Sequence, residues 1–312
     1  MKTLIVILVF FLTTINHANS LEYTVLNDED TKTLLDINIS ANNIWHGVYV
    51  DDGSDKEIKI GYTHIWYELA DNYLSSDQPV YIENIKIHYE VVVDGETTII
   101  EEVLKKIFQA NAPYNLLYDL ESETSEGLTK SILSTRLDDT MKVVYSDGFK
   151  EEVKIIEDFD YRLNHYLASI SFYLPNQNYI GNSFKSKDFD EGKFSESIYT
   201  FLEKKERSVN GVPYEYFIYE MIIGDEELPI TGQMYVDPKN YLPILMSYKN
   251  FGMEMRLEDK EIAQEMSIQQ DLFIAHQIPL DRDYWEIIQT YPNTKVKNIF
   301  LEIKGDYNNR FP

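Results

Sequence analysis

Residues 81–108, YIENIKIHYEVVVDGETTIIEEVLKKIF, contain the pattern that decides the fold. The first half of this segment is rich in β-branched and aromatic residues and partly alternates apolar with polar positions, as strands do. Asp94-Gly95 follows, and the second half, from Glu96 to Phe108, is again strand-like. Asp and Gly tolerate the positive φ angles of a tight turn. The segment therefore predicts a long antiparallel β-hairpin.

The same pattern occurs twice more along the chain. Residues 140–156 have Asp147-Gly148 at their centre, and residues 204–223 have Asn210-Gly211. From Tyr214 to Met255, strand-like runs alternate with turns such as Asp237-Pro238, in which Pro presets the φ angle of a turn position. These patterns predict further hairpins and a meander, so most of the chain is expected to be β-sheet.

One segment has the spacing of an amphipathic helix. It extends from Asp158 or Asp160, either of which is a suitable cap, to about Tyr173. Its apolar positions recur three and four residues apart; they are Phe159, Leu163, Tyr166, Leu167 and Ile170. A shorter acidic helix is expected over residues 258–267. We therefore predict a mainly β (α+β) fold, a strongly curved antiparallel sheet or half-barrel with one main helix packed on its concave face.

The N-terminus has the parts of a secretory signal peptide. Lys2 gives a cationic start, Leu4 to Leu12 is an apolar run, and Ala18-Asn19-Ser20 is a small-x-small tripeptide. The run is shorter than the about 20 residues that span a bilayer, so no stable membrane span is expected. We predict a signal peptide over 1–20 and a single domain over 21–312, in which residues 176–197 are either a sub-boundary or a long loop. The protein is expected in the bacterial periplasm rather than the medium.

Charge and composition exclude several classes of protein. The chain has 53 acidic and 28 basic side chains, a formal net charge of −25, and no cysteine. Binding of nucleic acid needs clustered Lys and Arg, so nucleic acid is not an expected partner. Without cysteine there is no disulfide, no thiolate metal site and no Cys nucleophile. A content of 44% hydrophobic residues is too high for a disordered acidic chain.

No catalytic or metal motif stands out. The chain has no His-Glu-x-x-His or Gly-x-Ser-x-Gly pattern. His46 and His64, flanked by Trp45 and Trp66, are the only histidine pair of interest. The acidic runs 27–30 and 51–55 lack the spacing of a calcium loop and are expected to be solvated. We therefore expect no cofactor, no metal and no enzymatic activity, and keep a hydrolase with scattered carboxylates as the third alternative.

The aromatic content has two interpretations. The chain contains 24 Tyr, 15 Phe and 3 Trp. Sheets use Tyr and Phe for packing, but the same residues can line a groove that accepts an apolar chain or an extended peptide. As ligand-lining residues we predict five positions on the helix and the meander: Tyr166, Ile170, Phe172, Tyr216 and Tyr219.

Several short motifs carry a resemblance to a known family. They are Trp45-His46-Gly47-Val48-Tyr49, Lys59-Ile60-Gly61-Tyr62, residues 234–243 with Asp237-Pro238, and residues 255–263 followed by 278–282. Together they resemble the β-rich, non-catalytic region that precedes the core of bacterial exported transglutaminase-like proteins. The piece at 234–243 is also similar to half-barrel carriers of the lipoprotein-localisation type. In this light Trp45, Gly47, Tyr49, Lys59, Gly61, Tyr62, Asp237 and Pro238 are expected to be structural.

One departure from the family pattern limits the function that the resemblance implies. A transglutaminase-like core needs a Cys nucleophile, and this chain has none, so that activity is excluded. What remains is a non-enzymatic exported binding or carrier module that holds a lipid or a lipoprotein segment between sheet and helix. The alternative is an acidic interaction or structural module of the cell envelope that docks a basic protein partner.

Overall fold

Fourteen strands form one antiparallel sheet. The computed structural model describes residues 22–51, 57–73, 78–93, 96–170, 181–209, 212–224, 229–237, 243–248 and 252–266. The predicted signal peptide, Phe172, Pro238 and the strand-like residues 296–303 lie outside these ranges. The predicted division into a signal peptide and a single domain stays a prediction.

The strands follow the predicted hairpin pattern. They are β1 (Ile44–Asp51), β2 (Glu57–Ala70), β3 (Val80–Val93), β4 (Glu96–Gln109), β5 (Leu116–Ser125), β6 (Leu128–Leu137), β7 (Thr140–Ser146), β8 (Glu151–Ile156), β9 (Ser183–Asp190), β10 (Lys193–Val209), β11 (Val212–Ile223), β12 (Ile230–Val236), β13 (Pro243–Tyr248) and β14 (Met253–Leu257). The three predicted hairpins are β3–β4, β7–β8 and β10–β11, and the predicted meander is β11–β14.

The sheet consists of two meanders joined at one seam. Its order is β8-β7-β6-β5-β4-β3-β2-β1-β14-β13-β12-β11-β10-β9, so every neighbouring pair except β1–β14 is consecutive in sequence. At the seam, His46 lies opposite Leu257 and Val50 lies opposite Met253. Strands β8 and β9, which follow each other in the chain, are therefore the two edges of the sheet.

Helix α1 (Asp28–Ser40) was not predicted. The acidic run expected to be a solvated loop is the first turn of this helix, and the Asn27 side chain caps it by accepting a hydrogen bond from the backbone N–H of Asp30 at 2.9 Å. Acidic side chains are favourable there because the N-terminus of a helix carries partial positive charge. Thus an Asn cap and the macrodipole explain the run without a calcium ion.

The predicted main helix begins later than its sequence pattern indicated. Helix α2 (Leu163–Ile170) starts several residues after Asp158 and Asp160. The preceding backbone is engaged elsewhere, because the N–H of Phe159 donates to the carbonyl of Asp139 and the carbonyl of Tyr161 accepts from Leu116. Those bonds, together with the φ of +50° at Asp158, hold the segment in a non-helical conformation, and the prediction of a cap at either Asp was wrong. The predicted short acidic helix is present as α3 (Lys260–Gln264).

Two helices, rather than one, cover the inner face of the first meander. Leu34 and Leu35 of α1 and Leu163 and Leu167 of α2 are buried in one cluster. The cluster also contains side chains of the sheet, namely Tyr67, Tyr81, Phe108, Leu116, Met141 and Val143. Burial of large apolar side chains at about 25 cal/mol per Å² makes this cluster a main source of stability. The predicted packing of a helix on the concave face is confirmed.

The strong curvature of the sheet is visible in contacts between its far edge and its middle. The turn between β9 and β10 lies on the inner face of β5 and β7, where the N–H of Glu191 donates to Glu121 at 2.5 Å and the Tyr145 hydroxyl donates to the carbonyl of Gly192 at 3.4 Å. Among the described strands no backbone pairing closes the ring, so the sheet is curved but open. The predicted mainly β, strongly curved antiparallel fold is confirmed.

Gly192 is required at this turn for two reasons. Its φ is +68°, and a Cβ there would lie 2.5 Å from Cγ1 of Val143 and 2.6 Å from the Tyr145 hydroxyl. Gly127 is a matched control, since its φ is +81° but nothing lies within 4 Å of its Cβ position. We expect Gly192→Ala to lower the free energy of unfolding by about 2–3 kcal/mol, against about 1 kcal/mol for Gly127→Ala. Urea denaturation measures both, and equal losses would contradict the tight contact.

Candidate functional site

A row of buried charges crosses the inner face. Glu83, Lys106 and Asp119 are directly opposite one another on β3, β4 and β5, and each is at most 5% exposed. The ammonium group of Lys106 lies 3.3 Å from Asp119 and 2.7 Å from Asp190, and it donates to the carbonyl of Phe189 at 2.8 Å. We call Glu83, Lys106, Asp119, Glu121 and Asp190 the Lys106 cluster. It connects the middle of the sheet to the far edge strand.

Glu83, Asp119 and Glu121 of the Lys106 cluster have raised pKa values, so they hold their protons more strongly than free carboxyl groups do. Burial raises the pKa of Glu83 to about 7, although the hydrogen bond from Tyr166 on α2 opposes the rise. Burial likewise raises the pKa of Asp119 to about 6, against the effect of Lys106. Burial and the charge of Asp119 raise the pKa of Glu121 to about 8. For Lys106, burial lowers the pKa but the neighbouring carboxylates raise it more, to well above its ordinary value.

Perturbed carboxyl groups are also found in active sites, but here each has an internal partner. Glu83 accepts from Tyr166, Asp119 from Lys106, and Glu121 from the backbone of Glu191. Glu83 and Asp119 are 3% and 1% exposed, which leaves no room for a substrate between them. This geometry favours a structural role over the hydrolase alternative.

The raised pKa values predict how stability depends on pH. At these three carboxyl groups the folded state binds more protons than the unfolded chain between about pH 4.5 and pH 8, so their contribution to the free energy of unfolding falls as pH rises across that window. We expect Glu121→Gln, which imitates the protonated acid, to flatten the slope by up to about 1.4 kcal/mol per pH unit. Denaturation at several pH values measures the slope. Glu157→Gln, an exposed change of the same charge, should leave it nearly unchanged, and equal slopes in all three proteins would contradict the assignment.

Methionines cluster on the inner face of the second meander. Five of the eight in the chain lie on β11–β14, and the strand register places them side by side. One row consists of Tyr219, Met234, Met246, Met255 and Val48, and the next of Met221, Gly232, Tyr248, Met253 and Val50. Directly opposite residues share one face of a sheet. We call Met221, Met234, Met246, Met253 and Met255 the methionine face.

The methionine face is only partly buried. Met221 and Met234 are 0% and 6% exposed, whereas Met246, Met253 and Met255 are half-buried. Phe184, Tyr199, Phe201 and Tyr219 continue the apolar surface toward β9. In the described residues, no side chain of the three helices belongs to the clusters that contain the methionines. Flexible thioether side chains adapt to varied apolar shapes, so such a surface can bind an apolar molecule.

The predicted ligand-lining residues do not form one group. Tyr219 is 2% exposed and lies beside the methionine face, while Tyr166 is buried with the helix cluster and donates to Glu83. Tyr216 is on the other face of β11, where its ring packs 5.7 Å from that of Tyr235. The side chain of Ile170 and all of Phe172 lie outside the described residues. Ligand contact by these five residues stays a prediction, and the methionines beside Tyr219 were missed.

Apart from Gly61, which lies opposite the inward-facing Val48, the motif residues of β1 and β2 meet on the outer face. Tyr49 lies opposite Lys59 and Gly47 opposite Tyr62. The ammonium group of Lys59 binds Glu258 at 2.6 Å, and the Tyr49 hydroxyl donates to the same carboxylate. Lys59 also donates to the carbonyl of Ile262, which attaches α3 to the sheet. A Cβ on Gly47 would lie 2.4 Å from Glu258, and one on Gly61 2.1 Å from the carbonyl of His88.

The two histidines of interest lie on opposite faces. His64 is stacked between Trp45 and Trp66 on the outer face, with ring centroids 3.9 and 4.6 Å apart. His46 faces inward, is 1% exposed and bonds the carbonyl of Pro243 at 3.1 Å. Trp45 also lies 5.7 Å from Tyr62, so this part of the motif forms a cross-strand aromatic ladder. Asp237 is buried at the end of β12. These contacts account for most of the motif by packing.

Comparisons with known proteins bear on the fold alone. No family model and no curated protein matches the chain. The fold is similar to the crystal structure of a β-barrel-like protein of the domain of unknown function DUF1849 from Brucella abortus, with a TM-score of 0.50, 11% identity, and coverage of 70% of this chain and 95% of that one. A protein with a YmcC-like fold from Bacteroides fragilis gives a TM-score of 0.25 at 12% identity, covering 69% and 93% of the two chains.

The first of these likenesses supports a β-barrel-like architecture. The second has too low a TM-score to support an argument. The resemblance to the transglutaminase-associated region has no support from either comparison. Within the described ranges, no helix is long and apolar enough to span a membrane, and no group of three or more His, Cys, Asp or Glu is arranged to hold a metal ion.

Proposed function

We propose that this chain is an exported, non-enzymatic binding or carrier module whose inner surface holds an apolar ligand, such as a lipid chain or the acylated segment of a lipoprotein. The observation that carries the proposal is the methionine face, a contiguous apolar surface on the inside of a curved sheet. Its members Met246, Met253 and Met255 are half-buried. A concave, mostly apolar surface is the usual setting for binding small apolar molecules.

The two halves of the inner face support this proposal differently. The half under β2–β7 is filled by α1, α2 and the buried Lys106 cluster. The methionine face lies under the other half, where Tyr248 donates to the sulfur of Met246 at 3.7 Å. We therefore place the ligand beside the helices rather than between helix and sheet. The proposed export is based on the signal-peptide pattern of residues 1–20. A periplasmic carrier would account for both this pattern and the methionine face.

The methionine face provides a matched pair of variants. Met246 and Leu245 are adjacent on β13, both half-buried, and they point to opposite faces. We expect Met246→Lys to weaken binding of the fluorescent fatty acid cis-parinaric acid at least about tenfold, because an ammonium group in an apolar site costs free energy on desolvation. Leu245→Lys should bind as the wild type does. Fluorescence titration measures both affinities, and thermal unfolding checks that both variants fold.

The same wild type and variants can also show whether the protein carries a natural ligand. Mass spectrometry of organic extracts from the exported, purified wild type should detect an apolar molecule that is depleted from Met246→Lys and retained by Leu245→Lys. Equal binding by the two variants, or a wild type that neither contains nor binds an apolar molecule, would refute the proposal.

A further inference from the structure

The two edges of the sheet are treated differently. The edge strand β9 is paired near its start by the segment that precedes α1, because Tyr23 bridges Lys185 and the N–H of Thr24 donates to the carbonyl of Lys185 at 2.7 Å. At the other edge, five of the six residues of β8 are exposed. Among the described strands β8 pairs with β7 only. An uncovered edge presents backbone N–H and C=O groups that can pair with another strand.

Exposed apolar side chains concentrate at this edge. Val153 is 53% exposed and Ile155 is 47% exposed, and both point to the outer face of β8. Phe149, in the turn before the strand, is 84% exposed. Glu152 and Lys154 alternate with the two apolar residues and share the inner face with Val143 and Tyr145. The outer face of the edge thus carries two exposed apolar side chains beside Glu151, and the inner face carries one charge of each sign.

The charges select one register for pairing between two copies. In a symmetric antiparallel pair, the residue at the two-fold axis lies opposite itself, and residues equally far from it on either side lie opposite each other. An axis at Glu152 would oppose two glutamates, and an axis at Lys154 would oppose two lysines. An axis at Val153 instead places Glu152 opposite Lys154 twice and Val153 opposite Val153. An axis at Glu151 would also oppose two glutamates, and an axis at Ile155 would leave Lys154 opposite Ile156. Of the axes from Glu151 to Ile155, only the one at Val153 has opposite charges facing each other and no like charges at the axis.

We propose that β8 pairs with β8 of a second copy of this chain, antiparallel and with its two-fold axis at Val153. On the outer face, Val153 then lies beside Val153 of the second copy, and Ile155 lies opposite Glu151 and diagonally across from Val153. The two sheets continue into one another across the axis. This proposal concerns the outer edge and is independent of ligand binding on the methionine face.

Charge reversal tests the register. We expect the wild type to dimerise with increasing concentration in sedimentation equilibrium. Glu152→Lys should weaken the dimer about tenfold by opposing lysines at two places, and Lys154→Glu should do the same with glutamates. The double variant Glu152→Lys/Lys154→Glu should restore the wild-type constant. A dimer that none of these changes affects, or one that the double variant does not restore, would overturn the proposal.

The absence of cysteine provides a second test. In the proposed register, two Val153→Cys side chains face each other within the range that a disulfide bridges. Mild oxidation should therefore link this variant into dimers. Phe149→Cys is more exposed, but its two copies would lie roughly 25 Å apart and should not link. Equal linking of both variants would overturn the proposal. So would a monomer whose β8 amides resist hydrogen exchange, since another segment of the chain would then occupy the edge.

Discussion

The ammonium group of Lys106 ties the far edge of the sheet to its middle. It is buried between Asp119 on the neighbouring strand and Asp190 and the Phe189 carbonyl on β9. If the β9–β10 turn moved away, a buried charge would lose part of its compensation, which costs several kcal/mol. Strand twist makes a sheet of this size coil but leaves the degree of coiling open. In this protein, the Lys106 contact and the packing of Phe189 against Phe159 and Tyr161 hold the far edge over the middle of the sheet.

The remaining architecture follows from where that contact is made. The turn lies on the inner face of the first meander, in the half already filled by α1 and α2. No side chain of the described helices belongs to the cluster on the inner face of the second meander. That face is lined with methionine and aromatic side chains. One half of the inner surface therefore serves stability, and the other half is the surface that we propose binds the ligand. The motif residues hold α3 on the outer face and take no part in either.

Local patterns predicted the strands well, because a hairpin is specified by a few adjacent residues. Asp94-Gly95, Asp147-Gly148 and Asn210-Gly211 all join paired strands. The Lys106 cluster was not predictable, because charged residues that alternate along a strand normally indicate a solvent-facing side. Here the β9–β10 turn, which is distant in sequence, buries that side. The methionine face was missed for a similar reason: its members are scattered over residues 221–255 and become neighbours only through the register. Helix α1 had a readable signal, an Asn cap followed by an acidic first turn.

The order of strands also has a consequence for how the chain folds. Nearly all pairings are between consecutive strands, so each meander can form from local contacts with little loop-closure entropy. The β1–β14 seam is different, because it joins His46 to Leu257 across most of the chain. Contacts of such sequence separation form slowly. Until the seam forms, β1 and β14 each present an unpaired strand edge, so the nascent chain is most prone to aggregate before this last pair of strands forms.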